Sequence, residues 1–314
     1  MSEQNDWGVL VTGAGGYVGL NMVAALAGAC RLRCLVRQAQ SFRDALTRLN
    51  AEAVEVVEGD VRDAETVRRA CRDAAVVVHL AALTADEHPS QFDLLQVNLL
   101  GCQTVLEGAE QAGTARVILP STYHVYGRLR TLPAGPVSEE TPLNPASVYA
   151  ASKAVAESMA RSASVDEVIV RLPHLYGAGC GAGDWGGVLL RFIDQAVQGS
   201  AITLDEGAAD LRDYLHISDT VACLRTLALA RQPVRGTFNV GFGQSVTLKE
   251  MAIWIAQGVG RAKGCSVEVC APAAVEPAGR AFLDVRKIRR ECGFAPRKTP
   301  QQGIEELLGR LVPA

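Results

Sequence analysis

The chain has 314 residues, 48% apolar and 21% charged, as in a globular protein of one large or two modest domains. Its formal net charge of -3 gives no electrostatic basis for binding nucleic acid or an anionic membrane. No apolar run reaches membrane-spanning length and the N-terminus does not resemble a signal peptide, so we expect a cytoplasmic protein. The nine cysteines lack disulfide or metal-ligand spacing, so we predict free thiols and no metal site.

The chain opens with an apolar strand pattern, Gly8 to Thr12, which leads into a glycine-rich turn and then a helical pattern. Gly13, Gly16 and Gly19 fit GxxGxxG, whereas GxGxxG fails because Val18 stands at its last position. Glycine is needed where a side chain would block a pyrophosphate or where a helix packs closely on a strand. An ordinary tight turn is the alternative, but a strand, loop and helix at this place favour dinucleotide binding.

Further apolar runs predict strands that alternate with helices, which is typical of a parallel, doubly wound α/β sheet. The predicted strands lie at 32–36, 54–57, 76–80, 116–119 and 167–172, and the main predicted helices at 91–111, 149–160, 188–198, 218–230 and from 247. Five glycines between positions 178 and 187 mark a domain boundary. We therefore predict a nucleotide-binding domain at 1–177, to which 216–241 return, and a smaller mixed substrate lobe formed by 178–215 and 242–314.

The end of the second predicted strand carries Val36 and Arg37 where an acidic ribose ligand usually stands. A guanidinium suits a 2'-phosphate, so NADP is slightly favoured over NAD. The alternative is a surface arginine among Arg31, Arg33 and Arg43.

Polar and small residues follow the third and fourth predicted strands. Asp60 is placed to bind the adenine edge, although an Asp in such a turn is more often a helix cap. His79 has apolar neighbours and fits a satisfied core histidine better than a ligand. Ala81 and Ala82 are small enough to allow close approach of a cofactor.

Tyr149 and Lys153 stand four residues apart in a predicted helix and therefore share one of its faces. A nearby ammonium favours the phenolate and lowers the tyrosine pKa from its ordinary value near ~10. Such a pair can move a proton to or from a substrate oxygen while a cofactor moves a hydride. The spacing alone also fits an amphipathic helix with a solvated lysine; the glycine motif favours the catalytic interpretation.

In their order, these motifs resemble the extended short-chain dehydrogenase/reductase superfamily, in its nucleotide-sugar epimerase/dehydratase branch. The resemblance spans nearly the whole chain and rests on positions 13–19, 59–63, 79–82, 97–98, 121–127, 149–157, 171–177, 212–219 and 238–241. It implies a Rossmann-type sheet, an NAD(P)-dependent enzyme and a homodimer formed through 91–111 and 149–160.

The resemblance also implies roles for individual residues. Thr122 hydrogen-bonds the reacting substrate oxygen, Tyr149 is the acid-base group, and Lys153 holds the nicotinamide ribose and lowers the tyrosine pKa. Arg212 and, with a poorer match, Arg280 bind the substrate diphosphate; for Arg212 an ion pair with Asp210 or Asp213 is the alternative. The cofactor-binding set is Gly13, Gly16, Tyr17, Val18, Gly19, Arg37, Asp60, Val61, Leu80, Ala81, Ala82, Asn98, Tyr149, Lys153 and Pro173. The substrate-binding set is Thr84, Thr122, Tyr123, His124, Tyr149, His174, Arg212 and Arg280.

Two departures from the family pattern bear on the reaction. Tyr123 and His124 stand where the dehydratases carry an acidic pair, so a 4,6-dehydratase is disfavoured. His124 can act as an acid or base, or form a polar wall, which we slightly favour. His174 replaces the usual Asn, which puts the usual contact with the substrate's nucleotide part in question.

The leading expectation is a nucleotide-sugar epimerase that acts at C4 through a transient keto sugar. The runner-up is an NADPH-dependent reductase of a keto sugar or other carbonyl compound, which Arg37 favours. A non-catalytic cofactor sensor on the same fold is disfavoured, because both Tyr149 and Lys153 are present.

Overall fold

The computed structural model describes residues 5–84, 89–128, 132, 134–180, 187–209, 211–271 and 281–312. Its strands are β1 (Asn5–Thr12), β2 (Cys30–Val36), β3 (Glu55–Glu58), β4 (Val76–His79), β5 (Arg116–Thr122), β6 (Gly135–Val137), β7 (Asp166–Leu172), β8 (His174–Tyr176), β9 (Ile202–Thr203), β10 (Leu211–His216), β11 (Gly236–Asn239), β12 (Ser245–Thr247), β13 (Val269–Cys270) and β14 (Ala281–Leu283).

The helices include one continuous helical segment at 91–111, which the sequence predicted as a single helix. The α-helices are α1 (Tyr17–Leu26), α2 (Ala39–Arg48), α3 (Ala64–Cys71), α4 (Gln91–Leu95), α5 (Gly101–Gln111), α6 (Val148–Ser162), α7 (Val188–Val197), α8 (Ile217–Ala228), α9 (Leu248–Lys263), α10 (Arg286–Cys292) and α11 (Pro300–Leu311). A π-helical turn, Gln96–Leu100, joins α4 to α5 without a break. None of the described helices combines the length and apolarity needed to cross a bilayer.

The main sheet has seven strands in the order β11-β7-β5-β4-β1-β2-β3, and every neighbouring pair is parallel. The predicted doubly wound α/β fold is therefore confirmed. The strand order reverses between β1 and β4, and ligands of such sheets bind beyond the carboxyl ends of the strands at this reversal.

Helices cover both faces of the sheet because its strands present apolar side chains to both sides. Along β1, Val9 and Val11 face the core shared with α1 and α8, whereas Leu10 faces the core shared with α3, α5 and α6. All three side chains are almost completely buried. This alternation follows from the two-residue repeat of a strand and holds the sheet rigidly between two helix layers.

Apart from the packing on the two faces of the main sheet, a second apolar core lies among α7, α9 and α11 and includes Phe192, Met251, Ile255 and Leu307. The smaller sheets of the described residues are β12-β10-β8, β13-β9 and β14-β6. The described part of the segment 128–147, for which no element was predicted, contains β6, which pairs with the distant β14. A three-residue strand has too little local pattern to be found without its partner. The predicted division into domains remains a prediction.

Candidate active site

A cavity of about 750 Å³ opens at the carboxyl ends of β1, β2 and β4. Of the predicted cofactor residues, its walls contain Gly13, Gly16, Tyr17, Arg37, Asp60, Val61, Leu80, Ala81 and Ala82. It lies where the strand order reverses, and its volume is in the range of small-molecule and cofactor sites.

The glycine loop fits a dinucleotide for two distinct reasons. A Cβ on Gly13 would come within 2.5 Å of the Ala81 nitrogen, and one on Gly19 within 2.2 Å of the Gly13 oxygen, so these glycines allow close packing. Gly15 and Gly16 line the cavity, and a Cβ there would meet no atom closer than 3.4 Å. Gly16 is the N-cap of α1 without a side-chain cap, so the helix presents its first N–H groups to a ligand.

The far wall of the cavity is formed by α2. Arg37 follows β2, and Ser41 and Arg48 lie on the same wall of the cavity. Hydroxyl and guanidinium groups are ordinary phosphate ligands. A carboxylate is also close, because Glu58 at the end of β3 accepts a hydrogen bond of 3.1 Å from the Ala39 nitrogen at the start of α2.

Asp60 lines the cavity, but its carboxylate is shared with Arg62. The backbone nitrogen of Arg62 donates to it over 2.9 Å and the guanidinium over 2.8 Å. The hydrogen bond with Arg62 contributes most to holding the pKa of Asp60 below its usual range, so the group stays ionised at neutral pH. The helix cap is provided by its neighbour Asp63, which accepts from the Glu65 nitrogen at the start of α3.

His79 is a buried structural residue, as predicted. Its Nδ1 lies 2.8 Å from the Thr12 hydroxyl, and the same hydroxyl accepts a hydrogen bond of 3.3 Å from the Ala81 nitrogen. Burial lowers the pKa of His79 to about 3, so the ring is neutral. The contacts join the ends of β1 and β4 beneath the cavity.

The helix α6 carries Tyr149 and Lys153 on one face. It begins cleanly because Ser147 accepts a hydrogen bond from the Ala150 nitrogen. Lys153 is buried, and its Nζ donates over 3.1 Å to the Pro120 carbonyl of β5. Burial lowers the pKa of Lys153 to about 8, against the opposing influence of Cys102 and Glu157. Tyr149 is half-buried.

The end of β5 brings Thr122 to the same region. Thr122 is buried and lies two residues after Pro120, whose carbonyl binds Lys153. Its hydroxyl accepts from the His124 nitrogen over 3.3 Å and caps the short 3₁₀ turn Tyr123–Tyr126, which packs against α6. A short turn directly after a parallel strand thus holds the Thr122 side chain near the Tyr149 helix.

Asn98 joins the cavity to α6 from the π-helical turn. It accepts from the Leu83 nitrogen over 2.8 Å and donates to the Leu83 carbonyl over 3.1 Å. It also donates over 3.0 Å to the hydroxyl of Ser152, which in turn donates to the Tyr149 carbonyl. Since Leu83 lines the cavity, the helix with Tyr149 and Lys153 is fixed to the cavity wall.

The predicted substrate residues Tyr123, His124 and His174 form one cluster. The Tyr123 hydroxyl lies 2.7 Å from Nε2 of His174, and the rings of His124 and His174 meet edge to face with centroids 5.7 Å apart. Tyr214 also belongs to the cluster, since its ring centroid lies 5.5 Å from that of His174. Desolvation, reinforced by Arg212 and His124, lowers the pKa of His174 to about 3, so a neutral imidazole lies here.

The predicted diphosphate ligands have different positions. Arg212 is the second residue of β10 and lies beside this cluster, since it interacts electrostatically with both His174 and Tyr214. Asp213 points elsewhere: its buried carboxylate accepts from the nitrogens of Phe242 (2.8 Å) and Gly243 (3.0 Å). Burial raises the pKa of Asp213 to about 7 despite these hydrogen bonds. Arg280 and Asp210 lie outside the described residues.

Comparison with known proteins decides the family. The family model "NAD dependent epimerase/dehydratase family" matches residues 9–241. A UDP-glucose 4-epimerase of Mycolicibacterium smegmatis is 31% identical over 94% of this chain and 95% of its own length. This chain belongs to the NAD-dependent epimerase/dehydratase family. It is thus an NAD-binding enzyme of the extended short-chain dehydrogenase/reductase type.

Other members of the epimerase/dehydratase family show how broad the likeness is. A dTDP-glucose 4,6-dehydratase of Streptomyces griseus is 30% identical over 92% of this chain and 89% of its own length. Among solved structures, a Thermus thermophilus UDP-glucose 4-epimerase complex with NAD superposes with a TM-score of 0.77 and 28% identity. That match covers 98% of this chain and 99% of the other. The chain is therefore similar to both epimerases and dehydratases of this family.

Six of the predicted cofactor-binding residues do not line the cavity: Val18, Gly19, Asn98, Tyr149, Lys153 and Pro173. Sequence reasoning missed further wall residues: Gly15, Leu20, Leu35, Val36, Gln38, Ser41, Phe42, Ala45, Arg48, Gly59, Leu83 and Val97. The helical spacing of Ser41, Ala45 and Arg48 is a signal that could have indicated one helix face behind the second strand.

Proposed function

We propose that this protein is an NAD(P)-dependent nucleotide-sugar epimerase that acts at C4 through a transient keto sugar. The observation that carries the proposal is the placement of α6. The buried Lys153 contacts β5 at Pro120, two residues before Thr122. Asn98 hydrogen-bonds both the same helix and Leu83 on the cavity wall. This placement supports a site beside the cavity in which Tyr149 is the proton-transfer group, Lys153 the cation and Thr122 the ligand of the substrate hydroxyl.

In this proposal each residue has one task. Tyr149 takes the proton of the sugar C4 hydroxyl, and Thr122 orients that oxygen with its own hydroxyl. Lys153 supplies the positive charge that favours the phenolate. The nicotinamide, when bound, supplies the hydride acceptor and donor. The first turn of α1 offers its N–H groups to the pyrophosphate, and Arg212 offers a planar fork of donors to the sugar diphosphate.

The test begins with the purified protein and no added cofactor. An epimerase should retain nucleotide through purification, visible after denaturation by liquid chromatography with mass detection. It should then convert UDP-glucose to UDP-galactose without consuming a stoichiometric reductant. dTDP-glucose is run in parallel, because a 4-keto-6-deoxy product would assign the chain to the dehydratases instead. Absence of C4 inversion with every nucleotide sugar tried would overturn the proposal.

The second candidate is an NADPH-dependent reductase of a keto sugar or another carbonyl compound. Its specific support is Arg37 on the cavity wall, together with Val36 in place of a ribose-binding acid. Arg48 and Ser41 on the same wall add phosphate ligands, whereas the nearby Glu58 would repel a 2'-phosphate. A reductase would oxidise added NADPH in step with product, and an epimerase would not.

A homodimer and a cytoplasmic location complete the proposal. Large apolar side chains on α4, the π-helical turn and α6 are exposed: Phe92, Leu95, Leu100 and Val155. The two helices α4 and α6 contact each other, so these side chains are candidates for one self-complementary surface.

A further inference from the structure

The face of α6 that carries the proposed catalytic pair continues to a third polar residue. Tyr149, Lys153 and Glu157 follow at four-residue steps, so all three point to the same side of the helix. Lys153 donates to the Pro120 carbonyl, and Glu157 accepts a hydrogen bond of 2.6 Å from the Ser121 hydroxyl. The helix therefore binds two consecutive residues of β5, directly before the proposed substrate ligand.

The Glu157 carboxylate has no exposed surface and is surrounded by donors. Besides Ser121, it accepts from Nε (3.0 Å) and Nη2 (2.7 Å) of Arg171 in β7, and from Nη2 of Arg161 over 2.7 Å. Burial acts to raise the pKa of Glu157, but Arg171, Ser121 and Arg161 together hold it below its usual range. The group is thus a permanent negative charge at neutral pH.

Arg171 is itself held by the surrounding fold. It donates over 2.7 Å to the Tyr126 hydroxyl and over 3.1 Å to the Glu139 carbonyl, and Tyr126 donates to Asn239 of β11. Buried charges with this many fixed partners leave little freedom to either group. Glu157 is therefore anchored to β5, β7 and, through Arg171, to β11.

Among the described residues, titratable side chains on three different elements interact electrostatically with Lys153. Burial raises the pKa of Cys102 on α5 to about 11, and His79 at the end of β4 is neutral. Glu157, one turn along α6, is the ionised one of these three and favours the charged form of Lys153. The negative charge that opposes the desolvation of Lys153 thus comes from a residue outside the proposed reaction.

We propose that Glu157 is a positioning residue: through Ser121 it sets how α6 lies on β5, and its charge keeps Lys153 cationic beside Tyr149. The proposal rests on the function proposed above. Mechanical and electrostatic parts are separable, because Ser121→Ala removes the hydrogen bond between Glu157 and β5 and keeps every charge, whereas Glu157→Gln removes the charge.

Ser121→Ala tests the mechanical part in the conversion of UDP-glucose. We expect kcat to fall about tenfold with KM nearly unchanged, because displacement of catalytic groups costs rate more than binding. The shape of the pH profile should stay as in the wild type. Ser162→Ala is the control, since that hydroxyl of the same helix binds only the Ser158 carbonyl among the described contacts. A wild-type kcat in Ser121→Ala would overturn this part.

Glu157→Gln tests the electrostatic part without any substrate. Loss of a negative charge lowers the pH at which the coupled Tyr149 and Lys153 lose their first proton, by about one unit. The readout is the ultraviolet difference titration of phenolate, with Tyr149→Phe subtracted to isolate one tyrosine. Glu167→Gln is the matched control, since this buried carboxylate pairs with Arg235 at the amino end of β7. An unmoved titration in folded Glu157→Gln would overturn this part.

The outcomes also separate this inference from the proposed function. If Tyr149→Phe keeps full activity, the proposed function fails whatever Glu157 does. If Tyr149→Phe is inactive while Ser121→Ala matches the wild type and the phenolate titration is unmoved in Glu157→Gln, only the positioning proposal fails. Should Glu157→Gln not fold, Ser121→Ala still decides the mechanical part.

Discussion

At the scale of single residues, the protonation of Lys153 is expected to set the alkaline limit of the reaction. Because burial lowers its pKa to about 8, Lys153 is charged below that pH and neutral above it. If its charge assists Tyr149, kcat should decline as pH rises through about 8. In Lys153→Arg the guanidinium stays charged, so any remaining activity should lack this decline. Steady-state rates between pH 6 and 10 provide the measurement; a wild-type rate that is flat across this range contradicts the role.

Removal of the Tyr149 hydroxyl is the most direct test of the chemistry. Tyr149→Phe should reduce turnover by about 10³-fold, within the range for loss of a general acid-base group. Cofactor affinity should stay nearly intact, because the ring remains. Tyr176→Phe is a suitable control, since that phenol is buried in the second core and lies near the Pro300 carbonyl. Equal activity of the two variants would remove Tyr149 from the mechanism.

Arg37 decides the cofactor preference in our proposal. Arg37→Ala should weaken binding of NADP more than of NAD, by about tenfold in the ratio of dissociation constants, because a charge-assisted hydrogen bond to phosphate is lost. Arg43→Ala on the exposed face of α2 serves as the control. Isothermal titration with both nucleotides gives the ratio; equal losses for the two would show that Arg37 does not contact the 2'-phosphate.

At the scale of elements, the crossing, by which we mean residues 177–180 directly after β8, contacts the start of α1 next to the glycine loop. The Tyr17 hydroxyl donates over 2.7 Å to the Gly177 carbonyl, and Cys180 lies 3.1 Å from the Asn21 side-chain oxygen. A Cβ on Gly179 would meet the Tyr17 ring at 3.0 Å, so the crossing packs closely against the start of α1. The segment therefore links the nucleotide cavity to the strand that begins with His174.

Tyr17→Phe removes this hydrogen bond to Gly177 and keeps the ring. We expect cofactor to dissociate about fivefold faster, which corresponds to one hydrogen bond of about 1 kcal/mol. Release of NADH, followed by fluorescence after dilution, measures the rate. The same Tyr176→Phe control should release cofactor at the wild-type rate. An unchanged rate in Tyr17→Phe would show that the crossing does not help to retain the nucleotide.

The elements that could be predicted from the sequence are those with a local pattern. Apolar strands such as Val76–His79 and the glycine spacing at 13–19 reflect sterics and burial within a few residues. The π-helical turn around Asn98 could not be predicted, because its contacts with Leu83 and Ser152 come from elsewhere in the chain. Asp60 lies on the cavity wall, and its pairing with Arg62 was not predicted.

The same limit applies to the proposed site. Lys153 could be placed on a helix with Tyr149 from spacing alone, but not against the Pro120 carbonyl, since that contact depends on how α6 lies on β5. Ser41 and Arg48 lie on the cavity wall only because α2 packs beside the end of β2. Such placement depends on tertiary packing, which local sequence patterns do not encode.

At the scale of the whole molecule, two apolar cores are connected through β8 and β10. These strands pair in parallel, with His174 opposite Tyr214. Leu215 belongs to the core of the main sheet, whereas its neighbour Tyr214 belongs to the second core. Because a strand alternates its side chains, this one short strand contributes a side chain to each core and connects them.

The exposed apolar face on α4 and α6 leads to a prediction about assembly. Phe92 is 68% exposed and Val155 47% exposed, and burial of such side chains contributes about 2 kcal/mol each. In a two-fold dimer every contact occurs twice, so one substitution acts on both sides of the interface. Phe92→Asp should therefore convert a dimer to monomers in analytical ultracentrifugation at micromolar concentration. Leu143→Asp, at an exposed site outside these helices, should leave the dimer intact. A wild-type protein that sediments as a monomer would contradict the prediction outright.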